Sequence, residues 1–281
     1  MLKQASRTAQ GTALHRAAHQ LYDRPLLFED PLAVKMIGTE SAARLSRAGA
    51  QLSTTRGASS RAFVVVRSRY AEDRLREATM RGVRQYVLLG AGFDTFAYRN
   101  TDPALRVFEL DHPATQARKR ETVTRAGIPV PETVIYQAVD FEREAVPVAL
   151  ERAGFRFEHP AQISWLGVAI YLEPEAVLEL IGSLARSLAK GSEIVFDFAT
   201  PLHHLEPARR AIFEAMARES EQMGEPYRSS FEPAALQSRL EALGASLVEM
   251  VGPKELNQRY LEGRADGVAL GGPGHIARIA L

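Results

Sequence analysis

Residues Val87-Leu-Leu-Gly-Ala-Gly-Phe-Asp94 join an apolar segment directly to a turn that contains two glycines. A ligand can approach the backbone of such a turn closely because glycine has no Cβ. The alternative is a plain tight turn, since isolated G-x-G strings are common. Beyond this point, short apolar segments alternate with amphipathic ones, which is typical of βαβ units around a parallel sheet. The sequence therefore predicts an α/β fold with an open, doubly wound sheet.

The pattern of the chain after residue 80 predicts six or seven strands and five helices, with the strand at 275–281 as the optional one. The strands are expected at 85–90, 106–110, 133–139, 161–168, 192–198, 245–251 and 275–281. The helices are expected at 113–126, 143–153, 173–188, 207–223 and 232–243. The last two strands could form an antiparallel hairpin.

The N-terminal region predicts helices instead of strands. Residues 12–20 are rich in alanine, Asp30 precedes Pro31 as a helix cap precedes a first helical proline, and Ser59 or Ser60 could cap a helix that reaches Met80. We expect a single domain over 1–281. It would comprise a helical cap at 1–80, a sheet core at 81–200 and 231–281, and an inserted helical lid at 201–230.

The composition excludes several classes of protein. The chain has 281 residues, a formal net charge of +1 and no cysteine. Disulfides, thiolate metal sites and a cysteine nucleophile are thus excluded, and bulk charge gives no case for a nucleic-acid or anionic-membrane partner. No segment approaches the roughly 18 apolar residues of a membrane span, and the N-terminus lacks the apolar stretch of a secretory signal. A cytoplasmic protein is the expectation.

Asp94 argues against a dinucleotide in the glycine turn. A dinucleotide site favours G-x-G-x-x-G, but the third glycine position is Thr95 here. A carboxylate at a helix start would also repel a pyrophosphate. It suits a ligand with a cationic end, such as the ammonium and sulfonium of S-adenosylmethionine. A simple helix-capping role for Asp94 is equally compatible with its position.

Acidic residues follow the next two strands as well. Asp111 lies 21 residues beyond Gly90, about where an acid would accept hydrogen bonds from a ribose. Glu109, on the same strand face, is an alternative ligand or a helper. Asp140 could accept from an adenine amino group, with Phe141 against the ring. Ligands gather outside the carboxyl edge of such sheets, so the three acids together predict a nucleoside site.

Four strings resemble the leucine carboxyl methyltransferase family, which includes bacterial polyketide O-methyltransferases. They are Gly90-Ala-Gly-Phe-Asp-Thr-Phe-Ala-Tyr-Arg99, Phe108-Glu-Leu-Asp-His-Pro-Ala-Thr-Gln-Ala-Arg-Lys119, Val139-Asp-Phe141 and Tyr171-Leu-Glu-Pro-Glu175. The resemblance covers roughly residues 10 to 265. It implies a class I methyltransferase sheet, S-adenosylmethionine as cofactor, and O-methylation, typically of a carboxylate on a small molecule or peptide.

The resemblance also implies roles for individual residues. The turn Gly90-Ala91-Gly92 would hold the methionine part of the cofactor, Asp111 the ribose, and Asp140 with Phe141 the adenine. Arg67 would grip the cofactor carboxylate, and Arg16 would close over the cofactor from the first helix. Leu166 stands where the phosphatase-directed member of the family has a glutamate, which favours the small-molecule branch.

Candidates for the acceptor side are less specific. His203, His204 and His112 are possible general bases, and Tyr171 could line the acceptor pocket or belong to the core. Arg259, Tyr260 and Arg264 could hold an anionic substrate, with a solvated helix face as the alternative.

No metal site is predicted, because the histidines show no H-E-x-x-H pattern. His15 and His19 are four residues apart without an acid between them. Two other functions remain open at this point: a nicotinamide-dependent oxidoreductase, and a cofactor-binding protein without transfer activity.

Overall fold

The computed structural model describes residues 6–141 and 143–281, and these contain a seven-stranded sheet in the order β3-β2-β1-β4-β5-β7-β6. The strands are β1 (Gln85–Leu89), β2 (Arg106–Asp111), β3 (Val134–Ala138), β4 (Gln162–Trp165), β5 (Glu193–Ala199), β6 (Leu247–Val251) and β7 (Gly274–Ala280). Residues 1–5 of the predicted N-terminal cap lie outside the described residues.

The order of the strands locates the expected binding site. Strands β1 to β5 are parallel, whereas β7 is antiparallel to both β5 and β6. The chain builds β1, β2 and β3 outward and then returns to add β4 on the other side of β1. Open α/β sheets bind ligands outside the carboxyl ends of the strands at such a reversal. The predicted doubly wound fold is confirmed, and its reversal lies between β1 and β4.

The α-helices of the described residues follow in chain order. They are α1 (Arg7–Tyr22), α2 (Ala33–Met36), α3 (Gly38–Arg47), α4 (Gly49–Leu52), α5 (Thr55–Met80), α6 (Phe96–Arg99), α7 (Pro113–Arg125), α8 (Val146–Arg152), α9 (Pro174–Ser187), α10 (Pro207–Gln222), α11 (Pro233–Ala242) and α12 (Pro253–Tyr260). Short 3-10 turns cover Ala169–Tyr171 and Leu202–His204.

Helices cover both faces of the sheet. Ile194 and Val195 are neighbours in β5 and point to opposite faces, as successive strand residues do. Ile194 belongs to a buried cluster with residues of α8, α9 and α11, whereas Val195 packs with residues of α5 and α12. This burial on both sides explains why every residue of β1 is buried.

The seven predicted strands and the five predicted helices are all present, within three residues of their expected bounds. The antiparallel pairing of the last two strands is confirmed. Helix α6 follows the glycine turn, where Asp94 was expected at a helix start, and α12 carries Arg259 and Tyr260, for which a helix face was the alternative. The division into cap, core and inserted lid stays a prediction.

Two predicted helix starts in the N-terminal region are wrong. Helix α2 begins at Ala33, so Pro31 is not its first residue and Asp30 is not its N-cap. The carboxylate of Asp30 forms an ion pair with Arg16. Helix α5 begins at Thr55 because Thr54 Oγ1 accepts the Gly57 N–H at 3.1 Å, so Ser59 and Ser60 lie inside the helix. Its predicted end at Met80 is confirmed.

Within the part of the chain that the structure describes, no helix combines the length and the apolar character needed to cross a bilayer. Even α5, with 26 residues, is interrupted by charged side chains. The cytoplasmic location stays a prediction.

Candidate active site

A cavity of about 340 Å³ opens at the carboxyl ends of β1 and β4. Helix α1 forms one side of it, and the turns after β1, β2, β3 and β4 form the floor. Among the lining residues are Thr8, Ala9, Arg16, Arg67, Gly90, Ala91, Gly92, Asp94, Asp111, His112, Asp140, Phe141, Leu166, Gly167, Val168, Tyr171, Glu225 and Arg228. The volume is within the range of small-molecule sites.

The two glycines of the turn after β1 are required by the backbone and by close neighbours. Gly90 has φ +65° and Gly92 has φ +46°, a region that glycine alone enters readily. A Cβ at Gly90 would collide with the Val168 side chain, and one at Gly92 would be 3.3 Å from Ala9. The turn thus passes between the loop after β4 and helix α1, with its backbone against the cavity.

Asp111 ends β2 and locks this turn. Its Oδ2 accepts the Gly92 N–H at 2.5 Å, and its Oδ1 accepts the His112 N–H at 2.7 Å. Burial raises the pKa of Asp111, although both backbone donors oppose this effect. Each carboxylate oxygen has a second lone pair, so Asp111 can still accept hydrogen bonds from a ligand in the cavity.

Glu109 does not reach the cavity, contrary to its predicted role as a ligand. Its side chain is about 1% exposed and its Oε1 lies 2.7 Å from Lys119 Nζ, which is equally buried. Glu109 is two residues earlier than Asp111 on the same face, and this places it one layer deeper, beneath α7. The residue is part of a buried ion pair.

Asp94 lines the cavity, and two groups of the protein donate to its carboxylate. Its Oδ1 accepts the Phe96 N–H at 2.7 Å, and its Oδ2 accepts Arg16 Nη1 at 2.6 Å. Burial opposes the charged form of Asp94, but Arg16 and other nearby cations outweigh burial and lower its pKa to about 2. Arg16 also donates to Asp30 Oδ2 at 2.7 Å, so its guanidinium bridges Asp94 and Asp30.

Arg67 lines the cavity and is held by a residue that sequence reasoning missed. Its Nη1 donates to Asp197 Oδ2 at 2.8 Å, while Asp197 Oδ1 accepts the Gly167 N–H at 2.5 Å. The available signal was a lone acid inside the apolar segment Phe196-Asp197-Phe198 of β5. Asp197 therefore connects α5, β5 and the loop after β4.

Asp140 and Phe141 line the cavity directly after β3, where an adenine was expected. Asp140 Oδ2 lies 3.6 Å from Arg143 Nε. Leu166 also lines the cavity.

A loop after α10 supplies wall residues that the sequence did not indicate. Glu225 is buried, and its Oε2 accepts the Thr8 N–H at 2.8 Å. The Arg228 N–H donates to Ile170 O at 2.8 Å, and the rings of Tyr171 and Tyr227 lie 5.7 Å apart. The loop is thereby joined to α1 and to the 3-10 turn that carries Tyr171.

Five residues predicted for catalysis or substrate binding lie outside the cavity lining: His203, His204, Arg259, Tyr260 and Arg264. Both histidines lie on the 3-10 turn after β5, and their side chains are near Glu232. Arg259 pairs with Glu249, Tyr260 Oη donates to Asp73 Oδ2, and Arg264 pairs with Asp266. Their side chains interact with these partners and do not line the cavity.

The chain is similar to known methyltransferases along most of its length. The leucine carboxyl methyltransferase family matches residues 9–185. A Bacillus subtilis (strain 168) protein named "Putative S-adenosyl-L-methionine-dependent methyltransferase YktD" is 30% identical over 95% of this chain and 94% of its own length. A Mycobacteroides abscessus protein with the same kind of name is 32% identical over 78% of this chain and 72% of its own.

Solved structures share the fold at low sequence identity. A protein from Thermobifida fusca YX superimposes with a TM-score of 0.59 at 17% identity, covering 99% of this chain and 96% of the other. A DUF574 family protein from Streptomyces avermitilis gives a TM-score of 0.57 at 15% identity, covering 99% and 98%. The matched family and the two relatives decide between the methyltransferase and the oxidoreductase interpretations. The chain belongs to the leucine carboxyl methyltransferase family and is an S-adenosylmethionine-dependent methyltransferase.

Proposed function

We propose that this enzyme methylates an oxygen of a small acidic molecule or peptide, with a carboxylate as the preferred acceptor. One observation carries this proposal: Arg228 lines the cavity from the loop after α10, apart from the glycine turn, where a cation suits an anionic acceptor. Its Nη1 also donates to Glu173 Oε1 at 3.1 Å. Among the described residues that line the cavity, His112 is the sole histidine, and its Nδ1 accepts the Ala114 N–H at 3.3 Å as the cap of α7.

The residues at the cavity floor fit the cofactor. Asp111 retains acceptor capacity toward a ribose, Asp140 and Phe141 lie after β3 where an adenine would bind, and the backbone of residues 90–92 can run along the methionine part. Arg67 is the cation for the cofactor carboxylate, and Asp197 orients it. When bound, S-adenosylmethionine supplies a methyl carbon that its sulfonium already activates.

The protein's own contribution is then mainly alignment. In-line transfer needs the acceptor oxygen close to the methyl carbon, and orientation of this kind contributes about 7–11 kcal/mol. Helix α1 lies along the cavity and is held by the ion pair of Arg16 with Asp94 and by the bond from Thr8 to Glu225. This cover limits the access of water to the reacting atoms.

A carboxylate acceptor would not need a general base. Its ordinary pKa of about 4 leaves it ionised at neutral pH. A phenol or alcohol would normally require a base. Burial raises the pKa of Tyr171 above its ordinary value, so this phenol stays protonated and can donate a hydrogen bond to an acceptor oxygen.

The test is a panel of matched acceptors that differ in one group: a carboxylic acid, its primary amide and the corresponding phenol. With methyl-labelled cofactor, the acid should yield a base-labile ester. Its rate should change little between about pH 6 and pH 8, because the acceptor is already ionised. Methylation of the phenol or of a nitrogen acceptor, with no reaction of the acid, would contradict the proposal.

A further inference from the structure

His203, His204 and Glu232 form a side-chain cluster away from the cavity. The histidines lie on the 3-10 turn that follows β5, and Glu232 directly precedes α11. The side chains are between 48% and 68% exposed, so an ion from solution can reach them. The methyltransferase site makes no use of this cluster.

The donor atoms of the cluster converge. Glu232 Oε1 lies 2.7 Å from His204 Nε2 and 3.9 Å from His203 Nε2, and the set lies within 4.8 Å. Tetrahedral zinc with bonds of about 2.0–2.1 Å places neighbouring donors about 3.3 Å apart. Small side-chain rotations therefore suffice to bring these donors around one ion.

The backbone that carries the donors is already fixed. Arg210 Nη2 donates to the carbonyl oxygen of His203 at 3.0 Å and to that of Leu205 at 3.2 Å. The Phe231 N–H donates to Ala199 O at 2.9 Å, which holds the start of α11 beside the end of β5. Glu232 precedes α11 without a side-chain capping bond, so its carboxylate is directed to the imidazoles instead of the helix.

We propose that His203, His204 and Glu232 bind one divalent transition-metal ion of the zinc class, with water completing the coordination. The two imidazoles favour zinc, nickel, cobalt and copper over calcium and magnesium, which prefer oxygen ligands. The bound ion joins the two ends of the segment 203–232. Because this segment carries Glu225 and Arg228, the ion stabilises one wall of the methyltransferase cavity and does not take part in methyl transfer.

The test uses the full-length, untagged protein after treatment with a chelator. Titration with zinc chloride in a calorimeter should give one site per chain, and zinc should raise the melting temperature, whereas magnesium should not. Loss of an outer partner alone commonly lowers metal affinity by about 10–100-fold. His204→Ala and Glu232→Gln, which remove direct ligands, should each weaken zinc binding at least that much.

A matched control separates this site from ordinary surface histidines. His159 lies 3.9 Å from Glu158 and is similarly exposed, but it belongs to a pair and not to a convergent triad. His159→Ala should leave zinc binding unchanged. Equal affinity in wild type, His204→Ala and Glu232→Gln would overturn the proposal, as would an equal loss in His159→Ala. Circular dichroism without metal checks that each variant folds.

Discussion

The carboxylate of Asp111 accepts the backbone N–H of Gly92 at 2.5 Å, so an acid at the end of β2 fixes the turn that follows β1. Turn and acid line the same cavity. A substitution at Asp111 should therefore also disturb the backbone of the turn at Gly92.

Asp111→Ala should weaken the binding of S-adenosylhomocysteine by about 1–3 kcal/mol, because a buried polar contact and the brace of the turn are both lost. Asp111→Asn, which keeps one acceptor oxygen, should lose less. Calorimetric titration measures both. Glu121→Gln, on the exposed surface of α7, is the control and should bind as wild type does. Unchanged affinity in Asp111→Ala would mean that the ribose is held elsewhere.

Gly90→Ala should destabilise the protein more than Gly127→Ala does. Both glycines have similar backbone angles, φ +65° and +62°, and alanine in this region costs about 1–2 kcal/mol. A Cβ at Gly127 meets no atom within 4 Å, whereas one at Gly90 meets Val168. The difference in unfolding free energy, measured in urea, isolates the collision.

Val168→Ala in the Gly90→Ala background should recover part of that difference. If the two glycine variants are equally stable, the collision with Val168 is relieved by movement of the turn.

Arg67→Ala should raise the dissociation constant of the cofactor, and Asp197→Asn should do so to a smaller degree because Asp197 only orients the guanidinium. The two residues are in contact, so a double-mutant cycle should give a coupling energy of about 0.5–3 kcal/mol. An Arg67→Ala effect confined to the KM of the acceptor would assign Arg67 to the substrate.

Asp94 should make the unfolding free energy depend on acid pH. Its folded pKa of about 2 is below the ordinary value of 3.8, so the unfolded state takes up a proton first as the pH falls. The stabilisation is present above about pH 4 and is lost toward pH 2, to a total of about 2 kcal/mol. Urea unfolding of wild type and Asp94→Asn across this window should show a shallower pH slope for the variant. Parallel slopes would show that Asp94 is not the group responsible.

Arg228→Ala should raise the KM for a carboxylate acceptor and leave the affinity for S-adenosylhomocysteine unchanged. Arg228 lines the cavity from the loop after α10, apart from the glycine turn. Arg228→Lys keeps the positive charge, so its KM for the acceptor should rise less than that of Arg228→Ala. Weaker cofactor binding in Arg228→Ala, with an unchanged KM, would contradict an acceptor role.

Local pattern explains what was predictable. The strands were predicted because strands that are buried on both faces form short apolar segments. The glycine turn and the strand-end acids Asp111 and Asp140 were selected because ligands of parallel sheets gather at one edge. These features depend on neighbours in sequence and on strand order, which short apolar segments encode.

Contacts between residues that are far apart in the sequence could not be predicted from these local patterns. Glu109 and Asp111 differ by one layer along β2, and the lysine ten residues later decides that Glu109 is buried in an ion pair. His203 and His204 follow a strand at the correct edge, but their turn directs them to Glu232, 28 residues away. Asp197 gained its role only when α5 brought Arg67 beside β5.

By itself, the sequence determined the doubly wound sheet, the glycine turn and the acids around it, since these follow from short apolar segments and glycine sterics. Only the tertiary structure decided which charged groups face the cavity. A side chain's role there depends on the partner that its backbone position allows it to reach, and that partner comes from a remote element.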